Sequence, residues 1–232
     1  MILSGEFQRD LLYNLKVLAL WFERDVFPHE ILELVPNIEK LVLCGGSFRE
    51  MFCCESPNNV DYNGLLLQLK VLHLESLGNL ISIAACKLTF SNLTYLNVKG
   101  CNNLRYLFKS SAAKNLGQLK RMEIKWCESI EEIVSKEMGD LSNEDEIIFP
   151  QLNCLNFEDL ENLRIFYKGN LSFPSLEEFS VTDCHQLITL STGTLEVHKL
   201  SHVTIDSKEI IIPLKSDLNT IMRKTFLAEV CV

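Results

Sequence analysis

The sequence lacks the short motifs that hold a phosphate group or a metal ion. No glycine is followed by lysine, so the chain has no phosphate-binding G-x-x-x-x-G-K-[S/T] loop, and no G-x-G-x-x-G occurs. The nine cysteines are an odd number and include no Cys-x-x-Cys pair, which argues against a disulfide framework and against a zinc site. We therefore expect reduced thiols and neither a cofactor nor a metal ion.

Positive charge and long apolar runs are also scarce. The 22 Lys and Arg residues against 31 Asp and Glu residues give a formal net charge of −9, whereas a sequence-independent nucleic-acid binder needs clustered positive charge. No apolar run approaches the roughly 20 residues that cross a bilayer. The first residues lack a basic stretch followed by an apolar core. We expect a protein partner rather than nucleic acid, no membrane span and a cytoplasmic location.

Copies of the pattern L-x-x-L-x-L fill the sequence instead. Eight copies begin at residues 15, 38, 69, 93, 119, 152, 176 and 200. The basic period is about 24 residues, which lies in the range of leucine-rich repeats. In five copies an apolar residue returns eleven positions after the start: Leu80, Leu104, Ile130, Leu163 and Leu187. Three copies carry cysteine eight positions after the start: Cys101, Cys127 and Cys184.

Alternation within each copy predicts a half-buried strand, because every second side chain points to the same side. One such strand cannot bury its apolar face alone, so successive copies should stack into a parallel sheet over a continuous core. The predicted fold is an α/β solenoid, a leucine-rich-repeat horseshoe with a parallel concave β-sheet of about eight strands and a short C-terminal helix. The core residues expected from the register are Leu72, Leu74, Leu96, Val98, Met122, Ile124, Leu155, Phe157, Phe179 and Val181.

The repeats occupy residues 1–205 and leave residues 206–232 as a C-terminal capping segment. In that segment Ser216 and Asp217 precede apolar residues at helical spacing, which predicts an N-capped amphipathic helix. This helix would cover the last open turn of the core. A short convex-side helix is expected at residues 110–116.

Two copies are longer than the basic period. Residues 49–67 and 135–148 make up the additional length, and we interpret both stretches as loops inserted on the returning side. The second stretch includes an acidic cluster at residues 137–146 that lacks the spacing of a calcium-binding loop. A solvated loop is therefore favoured over a cation site.

One pair of residues has the chemistry of a nucleophile and its base. Cys184 lies beside His185 in the sequence, but adjacent residues rarely form such a pair. Cys184 also shares its register with Cys101 and Cys127, in a turn where a small side chain packs well. We therefore interpret these cysteines as structural and expect no enzymatic activity.

The candidate binding site is made of outward-facing residues in copies four to seven. Copies four and five present a mainly basic half with two aromatic residues, and copies six and seven present an acidic half. The predicted protein-binding residues are Tyr95, Lys99, Arg121, Lys125, Trp126, Glu158, Glu178 and Asp183. Tyr, Trp and Arg on a rigid sheet often anchor interfaces, and a charge split favours one orientation of the partner. Two alternatives stay open: these are merely solvated strand residues, or the partner binds the loops at 49–67 and 135–148.

Two stretches carry a resemblance to a known family. They are Phe149-Pro-Gln-Leu152-Asn-Cys-Leu155-Asn-Phe157-Glu-Asp-Leu160-Glu-Asn-Leu163 and Phe173-Pro-Ser-Leu176-Glu-Glu-Phe179-Ser-Val181-Thr-Asp-Cys184. With their alternation of a Leu-type and a Cys-type copy, they resemble the C-terminal leucine-rich repeats of plant coiled-coil nucleotide-binding disease-resistance proteins. The segment from Ser111 and the closing helix from Asp217 match that pattern as well, so the resemblance covers nearly the whole chain.

The resemblance implies a non-catalytic protein-interaction scaffold, the sensing and autoinhibitory part of an intracellular plant immune receptor. Such repeats perceive a pathogen effector directly or through a guarded host protein, and they restrain the nucleotide-binding domain of the full receptor at rest. A leucine-rich-repeat substrate adaptor of an F-box ubiquitin ligase is the second candidate, because such adaptors also use cysteine-bearing repeats. An enzyme is the third.

Overall fold

Eight parallel strands, one from each copy of the repeat, form the main sheet of the solenoid. The structure is a computed structural model that describes residues 12–22, 27, 30–52, 62–84, 89–137, 146–212 and 217–229. The order of the strands in the sheet follows the order of the copies. The strands are β1 (Val17–Phe22), β2 (Lys40–Gly45), β4 (Val71–Glu75), β6 (Tyr95–Lys99), β8 (Arg121–Lys125), β11 (Cys154–Glu158), β14 (Glu178–Thr182) and β16 (His202–Ile205).

Register and burial confirm the predicted core. Each copy pairs with the next at the same position, so Leu96 lies opposite Leu72 on one side and Met122 on the other. Within β6, Leu96 and Val98 are fully buried, while the alternate residues are only partly buried. All ten side chains expected in the core are at most 2% exposed. The register therefore builds continuous apolar columns along the sheet.

Two further sheets lie on the returning side of the solenoid. The five-stranded sheet contains β3 (Glu50–Phe52), β5 (Ser82–Ala84), β7 (Phe108–Lys109), β9 (Glu132–Ser135) and β12 (Ile165–Tyr167). The three-stranded sheet contains β10 (Glu146–Ile148), β13 (Asn170–Phe173) and β15 (Leu195–Val197). Strands β10, β13 and β15 occupy one position of the repeat in the later copies. In earlier copies a short helix occupies that position, and these helices are α1 (Glu30–Leu34), α2 (Tyr62–Leu65) and α3 (Ser110–Ala113).

The interpretation of residues 49–67 and 135–148 as inserted loops is wrong at their ends. Strand β3 falls in the first stretch and strand β10 in the second, and each pairs in parallel with an equivalent strand of another copy. The physical reason is that backbone N–H and C=O groups on the returning side need partners, which the stacked neighbouring copy supplies. Residues 53–61 and 138–145, with most of the acidic cluster, lie outside the described residues.

A line of phenylalanine rings fills the interior between the sheets. The ring centroids of Phe27 and Phe52 are 6.1 Å apart, those of Phe52 and Phe90 are 6.0 Å apart, and Phe108 follows 5.9 Å from Phe90. All three pairs meet edge to face, an arrangement that adds roughly 0.5–1.5 kcal/mol per pair beyond the burial of apolar area. Since the four rings come from successive copies, they bind each copy to the next.

The three register cysteines lie in the turn that follows the main strand. Each Sγ donates to the carbonyl oxygen of the last strand residue, at 3.6 Å for Cys101, 3.4 Å for Cys127 and 3.2 Å for Cys184. All three thiols are free and fully buried. Burial raises the pKa of Cys184 to about 12, and the adjacent Cys101 thiol together with burial raises the pKa of Cys127. The geometry agrees with a structural role.

A hairpin strand extends the main sheet beyond the last repeat. The chain turns at Asp206 and Ser207, whose φ angles of 45° and 65° are left-handed. Strand β17 (Lys208–Ile211) then pairs antiparallel with β16 as the ninth strand. The repeat pattern contains no signal for this strand, because antiparallel pairing depends on the hairpin turn rather than on the period.

Both predicted helices are present. Helix α3 lies within residues 110–116 and is followed by a hydrogen-bonded turn that ends at Leu116. Helix α4 (Leu218–Glu229) begins after Asp217, whose carboxylate accepts the backbone N–H of Thr220 at 3.2 Å and so caps the helix. Met222 of α4 is fully buried. No helix in the described part of the chain is both long and apolar enough to cross a membrane.

Replacing Leu96 by aspartate should unfold the repeats. The change puts a carboxylate without a partner into an apolar column, and burial of an unpaired charge costs about 3–5 kcal/mol. Loss of one copy also removes the interfaces of its neighbours. Urea unfolding followed by circular dichroism measures the effect. The control is Gln118→Asp at an exposed position, for which we expect a change below about 0.5 kcal/mol. A Leu96→Asp protein as stable as wild type would show that the register is wrong.

The thiols of Cys101, Cys127 and Cys184 should resist a thiol reagent in the native protein at pH 8. Reaction requires access of the reagent to the thiolate, which full burial prevents at all three positions, and a raised pKa suppresses the thiolate further at Cys127 and Cys184. Mass spectrometry of each cysteine peptide after a short pulse of iodoacetamide should show labelling only when urea is present. Rapid labelling without urea would contradict the structural role.

Candidate protein-binding site on the concave face

Outward-facing residues of the main strands form three rows across the sheet, which we call the concave face. The first row includes Tyr95, Arg121, Cys154 and Glu178. The second row includes Asn97, Glu123, Asn156 and Ser180. The third row includes Lys99, Lys125, Glu158 and Thr182. Trp126 and Asp183 follow the ends of β8 and β14, so all eight predicted site residues lie on or beside this face.

Two separate ion pairs, which we call the ladder, lie side by side in the third row and involve residues of four copies. Lys99 Nζ lies 2.9 Å from a carboxylate oxygen of Glu75, and Lys125 Nζ lies 2.6 Å from one of Glu158. The two lysines are neighbours in the register, and each turns away from the other toward the glutamate on its far side. The Lys99 ammonium holds the pKa of the Glu75 carboxyl below its usual value. The row is therefore locally neutral.

A second network fixes Arg121 and Tyr95. Arg121 Nε donates to one carboxylate oxygen of Glu123, and the other oxygen accepts Asn97 Nδ2 at 3.3 Å. The same Asn97 amide donates to Tyr95 Oη at 3.0 Å. The Glu123 carboxylate raises the pKa of Arg121 further above neutrality. Each cation that made this half basic in the sequence thus has a carboxylate partner, which lowers the positive potential of that half.

Negative charge is more exposed toward the C-terminal end of the face. Asp183 is exposed, with one carboxylate oxygen 4.0 Å from Nε2 of His185. Its backbone N–H donates to the Asp206 carboxylate at 2.8 Å. Glu178 hydrogen-bonds the Cys154 thiol, and this contact adds to burial, the larger cause, in raising the pKa of Cys154 to about 11. Negative charge in the acidic half is therefore most exposed at Asp183, whereas Glu158 is paired with Lys125.

Several main strands are followed at the edge of the concave face by a residue whose backbone has the left-handed conformation. Gly100 has a φ of 62° and donates its N–H to the carbonyl of Lys125 at 2.9 Å, and Asp159 has a φ of 56°. This conformation turns the chain out of the strand while its N–H still bonds to the next copy. Glycine, asparagine and aspartate tolerate it best.

Trp126 occupies the same left-handed position, with a φ of 56°. A bulky side chain there is unfavourable by roughly 1–2 kcal/mol. The indole is 43% exposed, and Lys99 Nζ lies 4.6 Å from the ring centroid. A shallow groove beside it is lined by Ser76, Gly100, Asn102, Glu128, Asp159 and Glu161. The strain was not foreseen, although Gly100 and Asp159 at the equivalent sequence position are a signal for it.

Cys184 and His185 are not arranged as a nucleophile and base. The Cys184 side chain is fully buried and donates to a backbone carbonyl, whereas His185 is exposed. Among the described residues, no group of three His, Cys, Asp or Glu side chains is placed to hold a metal ion.

Comparison with known proteins agrees with the repeat architecture. The family model described as "Plant disease resistance protein RPS2-like, leucine-rich repeats" matches residues 2–128 and 85–209. The late blight resistance protein homolog R1B-12 of Solanum demissum is 25% identical over 197 residues, covering 84% of this chain and 13% of the relative. Disease resistance protein RPS5 of Arabidopsis thaliana is 26% identical over 210 residues, covering 76% of this chain and 23% of the relative. The chain thus spans less than a quarter of the length of either relative.

Replacing Trp126 by asparagine should leave the free energy of unfolding unchanged or raise it by up to about 1.5 kcal/mol. Asparagine tolerates the left-handed backbone, which relieves roughly 1–2 kcal/mol, while the lost cation–π contact offsets about 0.5–1 kcal/mol. Urea unfolding measures the difference. Trp21→Asn is the matched control, because Trp21 is a 76% exposed strand residue outside the left-handed position and should gain nothing. A loss above about 1 kcal/mol at Trp126 would show that the indole stabilises the fold.

Proposed function

Because the chain belongs to the leucine-rich-repeat region of plant disease-resistance proteins, we propose that it is the sensing part of a cytoplasmic plant immune receptor. In this proposal its concave face binds a pathogen effector, directly or through a guarded host protein. It also contacts the nucleotide-binding domain of the full receptor at rest. The role is non-catalytic. The matched family favours this function over a substrate adaptor of an F-box ubiquitin ligase.

The strained tryptophan is the observation that carries the proposal. Trp126 holds a large indole in a backbone conformation suited to glycine, aspartate or asparagine, and the side chain is 43% exposed. A residue that opposes folding and gains little from burial is explained by a role outside folding. Tryptophan is also among the residue types that most often dominate binding energy at interfaces.

The side chains of the concave face suit a rigid interface. Arg121, Glu123 and Tyr95 are held by the hydrogen-bond network, and Lys99 is held between Glu75 and the indole. Side chains fixed before binding lose less conformational entropy when a partner arrives. The ladder of the third row presents both charge signs at short spacing, which selects partners by matched pairs rather than by net charge.

The same contacts disfavour catalysis on this face. The only cysteine in its first row, Cys154, is 8% exposed and has its pKa raised by burial, and a thiol of this kind is a poor nucleophile. Lys99 and Lys125 are paired with carboxylates, and this pairing stabilises the charged ammonium form, which is not nucleophilic.

Substitution on the concave face tests the proposal. Purified pathogen-secreted proteins and the nucleotide-binding region of a matched receptor would be titrated against the chain by biolayer interferometry. For a protein that binds wild type, Trp126→Asn and Arg121→Gln should each weaken binding at least about tenfold. Melting temperatures should stay close to wild type, since both side chains lie at the surface.

Trp21→Asn supplies the matched control for that titration. It removes a more exposed indole from the first strand of the same sheet, distant from Trp126 in the strand order, and should leave affinity unchanged. Full binding by both Trp126→Asn and Arg121→Gln would contradict the concave-face site. It would move the contact to the stretches at residues 49–67 and 135–148.

A further inference from the structure

Two arginines flank a groove where the chain enters the five-stranded sheet. The backbone N–H of Ile81 donates to the Arg49 carbonyl at 3.0 Å, and the N–H of Arg105 donates to the Ile81 carbonyl at 3.0 Å. The two arginines therefore stand one strand to either side of Ile81, about 10 Å apart at two strand spacings. Asn79 and Asn103 line the same groove.

The polar groups of this groove are mainly hydrogen-bond donors. Within the described chain, neither the Arg49 nor the Arg105 guanidinium has a hydrogen-bond or ion-pair partner. The Asn79 amide oxygen already accepts Asn103 Nδ2 at 3.3 Å, so both the Asn79 NH₂ group and one N–H of Asn103 remain to donate. Two guanidinium forks and two amides line this groove around the half-buried Ile81.

The cations at the centre of the concave face differ from these two arginines, because they are paired. On the main sheet, Lys99, Arg121 and Lys125 each contact a carboxylate. The chain carries a net charge of −9, so acidic partners are plentiful. The backbone N–H of Glu131 donates to the Arg105 carbonyl, so Glu131 lies beside Arg105 in the next copy. No ion pair joins their side chains among the described contacts. The arginines are thus left available beside an acidic residue that could have neutralised one of them.

We propose that Arg49 and Arg105, with Asn79 and Asn103, bind a phosphate monoester group. A phosphate dianion has three terminal oxygens with about six acceptor positions, which matches two bidentate guanidinium forks and two amide donors better than the four positions of a carboxylate. Each guanidinium has to reach across about one strand spacing, roughly 5 Å, to meet the other over Ile81. The site lies outside the concave face and does not depend on the proposed function.

Titration with inorganic phosphate and with a phosphoserine peptide tests this site. The peptide is a short Gly-Ser sequence with one phosphoserine, compared with its unphosphorylated form. Side-chain amide resonances of Asn79 and Asn103 should shift on titration, read by ¹⁵N nuclear magnetic resonance of the full chain. Arg49→Gln and Arg105→Gln should each weaken binding at least tenfold. Arg164→Gln is the matched control, an exposed arginine that enters the same sheet but donates to Gln186, and it should bind like wild type.

The probes also distinguish the source of the phosphate. Shifts with both inorganic phosphate and the phosphopeptide, or with only one of them, support the site and identify whether free or peptide-borne phosphate is bound. No shift with either probe would overturn the proposal. Equal weakening by Arg164→Gln, or equal binding of the unphosphorylated peptide, would also overturn it, because the effect would then be general charge attraction. Melting curves of the variants should match wild type, since all three arginines are exposed.

Discussion

The structure depends on one constraint: equivalent residues of successive copies must face each other across parallel strands. This register aligns Leu72, Leu96 and Met122 into one buried column and aligns the outward residues into rows. A single copy has nowhere to bury its leucines, so stability is shared between neighbours. The turn cysteines, the edge-to-face phenylalanines and the left-handed strand ends all repeat because the register repeats.

The period and alternation were enough to predict the main sheet, because both are local properties of the sequence. Strands β10, β13 and β15 could not be predicted in this way. Other copies place the short helices α1, α2 and α3 at the same position, so the repeat pattern alone does not decide between strand and helix there. Strand β17 was missed for a related reason, since it depends on two left-handed residues after the last repeat.

The sequence likewise predicts only part of the candidate site, namely which side chains face outward and not which of them contact each other. Listing outward residues placed all eight on or beside one surface, because direction follows from the strand period. Which lysine contacts which glutamate depends on the lateral order of the copies. Lys125 pairs with a residue 33 positions away in the sequence. The basic half expected from the list of outward-facing residues is therefore partly neutralised. The distinguishing feature is the backbone of Trp126, which its alignment with Gly100 and Asp159 indicates.

Pairing of charges on the concave face limits how a partner can be recognised. A surface whose lysines and Arg121 already contact carboxylates exerts little long-range attraction, since opposite charges at short spacing cancel beyond a Debye length of about 8–10 Å. A partner that buries these pairs must desolvate them, and it recovers that free energy only by matching their geometry. An aromatic residue held rigidly beside the ladder supplies apolar contact that needs no such match. Recognition on this face would then rest on Trp126 for affinity and on the ladder for the rejection of ill-fitting partners.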